Sequence, residues 1–188
     1  MTCTFYKYQA TGNDFVMMDN RSQTFDKNNT KLVAALCDRR FGIGADGLIL
    51  LENGSGYDFE MVYFNADGHQ SSMCGNGGRC IVAFAKQLGI IENTTTFMAV
   101  DGVHEARIEG DIVHLKMQSV SEIFSTSDHV ILDTGSPHYV ALKSDIDAFD
   151  MKHEGAQIRY SAPFAQEGIN VNFVVQHDQN TFGVRTYE

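Results

Sequence analysis

Gly75-Asn76-Gly77-Gly78-Arg79-Cys80-Ile81-Val82-Ala83-Phe84-Ala85-Lys86-Gln87-Leu88 decides the architecture. The run reads as one helix closed by Gly89, since glycine suits the residue just past a helix C-terminus. Residues 81–85 are apolar on every side, and a helix of that kind is enclosed on most sides rather than laid on a surface. Strand-like runs surround it. Residues 5–9 and 15–19 flank a Thr11-Gly12-Asn13-Asp14 turn. Residues 30–40 place Leu32, Val33 and Leu36 on one face and read as an amphipathic helix. Strands are expected at 46–52, 57–64, 95–100, 103–108 and 112–117, the last two joined by Glu109-Gly110-Asp111. Curved strands around a central helix make an α+β arrangement.

After Gln118 the pattern restarts: Thr134-Gly135-Ser136 leads into a strand-like run as Thr11-Gly12-Asn13 does. The chain is therefore expected to hold two copies of one unit, residues 1–118 and 119–188. The offset from Thr11 to Cys74, applied from Thr134, lands beyond Glu188, so the second copy is expected to be incomplete. Its strands would then lack a helix over their apolar face, an aggregation hazard.

The 188 residues allow one large or two small domains, and a 43% hydrophobic content suffices for a core. A net charge of −10 argues against a nucleic-acid or acidic-membrane surface. No apolar run is long enough to span a bilayer, and the N-terminus lacks the layout of a signal peptide. The expectation is a soluble, cytoplasmic protein with reduced cysteines. Of the four, Cys3 and Cys37 read as small buried hydrophobes.

Cys74 differs, because it stands just before the helix. Unpaired N–H groups and the positive dipole end favour an anion there, which moves a thiol from about 8.5 toward neutrality. The same N–H groups can hold a carboxylate, and the three glycines Gly75, Gly77 and Gly78 would let a ligand approach the backbone. Three other readings stay open. The loop could bind phosphate, although the Lys-Ser/Thr pair of a Walker loop is missing. Cys74 and Cys80 could bind zinc, although the spacing is not Cys-x-x-Cys. The glycines could form only a tight turn.

Cys74-Gly75-Asn76-Gly77-Gly78-Arg79-Cys80 resembles the first active-site signature of diaminopimelate epimerases. Thr11-Gly12-Asn13-Asp14-Phe15, Phe41-Gly42-Ile43-Gly44-Ala45-Asp46-Gly47 and Phe64-Asn65-Ala66-Asp67-Gly68 are similar to further motifs of that family. Gly135-Ser136-Pro137-His138 and Ile169-Asn170-Val171-Asn172-Phe173 resemble motifs of its second domain, all in family order. The resemblance implies two similar domains, each a curved, mostly antiparallel sheet or barrel around a central helix. It implies a cofactor-free, metal-free isomerase interconverting LL- and meso-diaminopimelate, a step toward lysine and cell-wall precursors. Cys74 would be one of two catalytic cysteines, one on each side of the α-carbon. Asn13, Asn65, Asn76 and Asn170, with the Gly75 backbone and Glu188, would bind substrate. His138 and Glu188 would tune cysteine protonation, and the full-length protein would be a homodimer.

Two thiols suit such a reaction, since one abstracts a proton while the other donates on the opposite face, and each can serve either way near neutral pH. The carbanion then needs carboxylate-binding donors and exclusion of water. The family continues past this point into a second cysteine signature, so the chain ending at Glu188 is expected not to epimerise unaided. Gly47 stands where some members have a substrate-touching Gln, and Ser136 where many have Asn. A proline racemase-like enzyme of the same fold, or a non-catalytic amino-acid-binding fragment, remain the competing readings.

Overall fold

A computed structural model describes residues 3–188, which form two compact units divided between Met117 and Gln118. The first unit contains β1 (Tyr6–Ala10), β2 (Asn13–Asp19), α1 (Thr30–Cys37), β3 (Gly47–Glu52), β4 (Phe59–Asn65), α2 (Gly75–Gln87), β5 (Thr94–Ala99), β6 (Gly102–Glu109) and β7 (Ile112–Leu115). Its strands form one sheet in chain order. β2–β3 and β4–β5 are parallel and the other neighbours antiparallel.

The sequence pattern explains the layering. Strands β2, β3 and β4 are apolar at successive positions because both of their faces are covered. Phe15, Met17, Ile49, Leu51, Phe59 and Met61 meet Ile81, Val82, Phe84 and Ala85 of α2. The intervening Val16, Met18, Leu48, Leu50, Val62 and Phe64 meet Val33 and Cys37 of α1. Helix α2 touches β2, β3 and β4 and also both edge strands, β1 and β7, so the sheet curls around it as a half-barrel. The helix is closed as its sequence foretells. Gly89 has φ +70°, its N–H bonds Lys86 O at 3.0 Å, and Ile90 N–H bonds Ala85 O at 3.0 Å. That pairing is the Schellman closure.

Three expectations need correction. Helix α1 stops at Cys37, not Arg40, because Asp38 turns extended (φ −61°, ψ 125°) and its Oδ1 accepts from the N–H groups of Arg40 and Phe41. Its buried stripe is Val33 and Cys37, while Leu32 is 39% exposed. Cys3 is exposed, although Cys37 is buried.

The second unit contains β8 (Ile123–Ser125), β9 (Val130–Asp133), β10 (Pro137–Leu142), α3 (Met151–Arg159), β11 (Asn170–Gln176) and β12 (Phe182–Tyr187), in a sheet of order β12-β11-β10-β9-β8. β9–β10–α3–β11–β12 repeats β1–β2–α1–β3–β4, including the parallel pair that brackets the helix. The pairing of His138 with Asn170 corresponds to that of Phe15 with Gly47. One face of this sheet carries a helix that the sequence pattern did not announce. Ala141, Val171 and Phe173 pack with Met151 and Ile158 of α3. Gly155 lets α3 approach β12, where a Cβ would stand 2.5 Å from Tyr187 Cβ. By topology α3 matches α1, not α2. The opposite face of this sheet carries His138, Val140, Leu142, Asn172 and Val184, with Leu142 71% and Val184 55% exposed.

Candidate active site

In the first unit the site gathers around the N-terminus of α2. Cys74 is the N-cap, with extended backbone (φ −116°, ψ 118°), and its C=O accepts the first helical bond from Gly78 N–H at 2.8 Å. The Cys74 side chain is half-buried. Its Sγ donates to Asn13 Oδ1 at 3.5 Å, and Asn76 Nδ2 donates to the same oxygen at 3.3 Å. Arg79 donates to Asn76 Oδ1, and Thr11 Oγ1 reaches that oxygen at 3.1 Å.

Asn13 arrives by a tight hairpin. Ala10 pairs with Asn13 across Thr11 and Gly12, both at positive φ (54° and 88°). A β-branched residue at positive φ is strained, and such strain concentrates at functional sites. The other side of Asn13 is held by charge. Its Nδ2 donates to Asp46 Oδ2 at 2.8 Å, and Arg39 Nη2 bridges Asp46 Oδ1 at 2.6 Å and Asp14 Oδ1 at 2.7 Å. The Arg39 hydrogen bonds, aided by Lys7 against some burial, hold the Asp14 carboxyl well below the usual carboxylate range. Asp46 reaches this cluster because the 38–45 connection folds back on α1, where Ile43 and Gly44 N–H bond Leu36 O and Ala45 N–H bonds Cys37 O.

The glycines divide. A Cβ on Gly75 would meet nothing nearer than Met117 Sδ at 3.6 Å, so that backbone is open. On Gly77 it would stand 2.9 Å from Ile49 Cδ1, and on Gly78 2.6 Å from Met73 Cε. Those two serve helix–sheet packing, not ligand approach. At Gly47 a side chain would collide with the Phe64 carbonyl and stand 2.6 Å from the Tyr63 ring, so Tyr63 fills that space. Asn65 ends β4, paired in register with Gly47, and is exposed. The remaining buried thiols are inert by environment. Burial pushes Cys37 up to about 11, and burial pushes Cys80 up to about 11 with the Cys74 sulfur adding to it.

In the second unit His138 and Asn170 are register partners on β10 and β11, and Glu188 follows β12. Burial lowers the His138 imidazole, opposed by the Glu188 and Asp133 carboxylates. Asn172 Nδ2 lies 3.1 Å from both His138 Nδ1 and the Tyr139 carbonyl, and Asn172 Oδ1 accepts from Thr186 Oγ1 at 2.9 Å. A nitrogen facing a carbonyl must donate, so His138 Nδ1 is the acceptor and the ring proton sits on Nε2.

The chain matches the family model described as diaminopimelate epimerase over residues 5–121. It is 60% identical to the diaminopimelate epimerase of Flavobacterium psychrophilum, across 97% of this chain and 72% of that protein. The chain belongs to the diaminopimelate epimerase family. A second member, from Chlorobaculum tepidum, is 41% identical over 95% of this chain and 72% of its own length. Among solved structures, a Bacillus anthracis phenazine biosynthesis protein of the PhzF family superposes with TM-score 0.72 at 12% identity, covering 100% of this chain and 73% of that one. A hydroxyproline epimerase from Agrobacterium vitis gives 0.65 at 15%, covering 97% and 68%. At those identities the likeness concerns the fold.

Set against the epimerase motifs, the structure brings Asn13, Cys74, Gly75 and Asn76 together in one unit, and His138, Asn170 and Glu188 at one end of β10–β12 in the other. Thr11, Arg39, Asp46 and Arg79, and on the second sheet Asn172, were missed by the sequence reading. Asn172 was findable, since strand alternation puts it on the same face as Asn170. Arg39 was not, because the helix expected through position 40 hid it.

Proposed function

We propose that Cys74 is the residue of this epimerase that exchanges a proton with the α-carbon of diaminopimelate. The observation that supports it is the position of a half-buried thiol at the opening of an enclosed helix, beside two oriented asparagine amides. The first N–H groups of a helix lack intrahelical partners and favour negative charge. A substrate carboxylate bound at the open Gly75 backbone would draw charge from the α-carbon as its proton leaves. As thiolate, Cys74 takes the α-hydrogen as a proton and the C–H electron pair stays on carbon. As thiol it returns a proton to the carbanion from its own face, and inversion requires a second acid–base group on the other face.

Asn13, Asn65 and Asn76 are the proposed substrate-binding side chains of the first unit. Asn170 and Glu188 are those of the second, with His138 and Glu188 adjusting cysteine protonation. The neutral Nε2–H imidazole that Asn172 favours suits proton exchange near neutral pH. The reaction belongs to lysine biosynthesis, and a homodimer is the proposed assembly. Among the described residues no helix is long and apolar enough to cross a membrane.

The test is ligand protection. Diaminopimelate should slow alkylation of Cys74 by iodoacetamide while leaving exposed Cys3 unchanged, and proline should have no such effect. Protection by proline alone would favour the proline racemase-like reading, and protection by neither would remove the substrate assignment.

A further inference from the structure

The asparagine amides beside Cys74 have a determined direction. Arg79 can only donate, so the Asn76 atom it meets is the oxygen, and Asn76 Nδ2 is turned to Asn13 Oδ1 at 3.3 Å. At the other end both Asp46 oxygens accept, from Arg39 and from Asp14 N–H, so the Asn13 atom 2.8 Å from its Oδ2 is the nitrogen. Asn13 therefore presents its carbonyl oxygen to the Cys74 sulfur at 3.5 Å. An acceptor there favours S–H over S⁻, against the pull of the helix N-terminus. Asp46 is itself fixed. Its Oδ2 also takes Asp14 N–H at 3.0 Å, and its Oδ1 takes Arg39 at 2.6 Å. The charged and titratable groups around this chain of bonds include Lys7 of β1, Asp14 of β2, Cys37 of α1, Arg39 and Asp46 of the connection after α1, and Arg79 and Cys80 of α2.

We infer that Asp46, braced by Arg39, is a positioning residue that turns the Asn13 amide so that Cys74 rests as the protonated acid. The inference rests on the catalytic reading of Cys74 and deepens it. A ligand group that draws Asn13 aside would free the sulfur to the helix N-terminus while itself covering it from outside reagents, so binding and activation pass through one amide.

Asp46→Asn tests this with little change of shape. Both carboxylate oxygens already receive donors, and an amide has one oxygen, so either Asn13 or Arg39 must lose its acceptor. The rate of Cys74 alkylation in the purified chain is followed against pH, peptide by peptide, by mass spectrometry. Below the wild-type midpoint, Asp46→Asn should react about 3–10-fold faster, the worth of one hydrogen bond. Asn13→Ala should give the same gain, and Asp46→Asn added to it should give nothing further. Asp46→Ala leaves Asn13 without this acceptor whichever way an amide would turn and should give the same gain, so an unchanged profile in Asp46→Ala would overturn the inference. So would an added gain in the double variant, because the charge would then act through space. Silent Cys37 and Cys80 report that each variant is folded. Should Asp46→Asn unmask them, Asn13→Ala decides alone, with faster alkylation supporting the inference and an unchanged rate overturning it. A Cys74 that proves non-catalytic would show in substrate proton exchange, leaving this profile as it is.

Discussion

Truncating Phe84 to alanine probes how α2, and hence Cys74, is held. Phe84 is fully buried, with its ring centroid 5.0 Å from that of Tyr6 and 5.8 Å from that of Tyr8. It is the clamp between α2 and edge strand β1. A buried Phe→Ala change costs about 3–5 kcal/mol, and the two aromatic contacts place this site toward the upper end. A unit of this size has roughly 6–17 kcal/mol in total, so a quarter or more would go. The melting temperature should fall by about 10–25 °C. Cys80 reports on this unit specifically, because it is 3% exposed and its thiol is pushed up to about 11 by burial. Its labelling during urea titration should begin at much lower urea in Phe84→Ala, whereas Tyr8→Phe, which keeps the ring and loses only the bond to Gln87, should shift little. A Phe84→Ala loss under about 1 kcal/mol would refute the enclosed helix, since cavity formation in a packed core costs more than that.

Two further outcomes follow from local geometry. Gly42→Ala would drive a Cβ into the Ala35 carbonyl and to 2.8 Å from Leu36 O, backbone atoms that cannot swing aside. It should cost about 1–3 kcal/mol in urea melts and loosen the loop that delivers Arg39 and Asp46; an unchanged midpoint would contradict that packing. Burial lowers His138, so the fold prefers the neutral ring. Its contribution is present above the ordinary histidine value of about 6.5 and is lost as pH falls below it. His138→Gln should flatten the decline in stability between pH 7 and 5, and identical slopes in the two proteins would rule this out.

The enclosed helix was legible because Ile81, Val82, Phe84 and Ala85 leave no polar stripe, and its end because glycine alone suits Gly89. The repeat was legible from two matching turns, and the structure extends it to register. The end of α1 was not legible, because Asp38 fits a helical pattern as well as it caps one. Neither was the work of Gly77 and Gly78, since a glycine before a helix serves ligand approach and close packing equally well in sequence. The Asp46–Asn13–Cys74 chain joins residues far apart in sequence: the parallel pairing of β2 with β3 brings Asp46 to Asn13, and the packing of α2 on the sheet brings Cys74. The roles of His138, Asn170 and Glu188 came from resemblance, because His138 and Asn170 are each an ordinary polar residue on a strand and Glu188 an ordinary charge just past one.

The most direct test follows hydrogen at the α-carbon of diaminopimelate in heavy water. Deuterium should be incorporated by the purified protein, not by Cys74→Ala, and still by Cys3→Ala. Undiminished incorporation by Cys74→Ala would place the acid–base chemistry elsewhere and contradict the account at its centre.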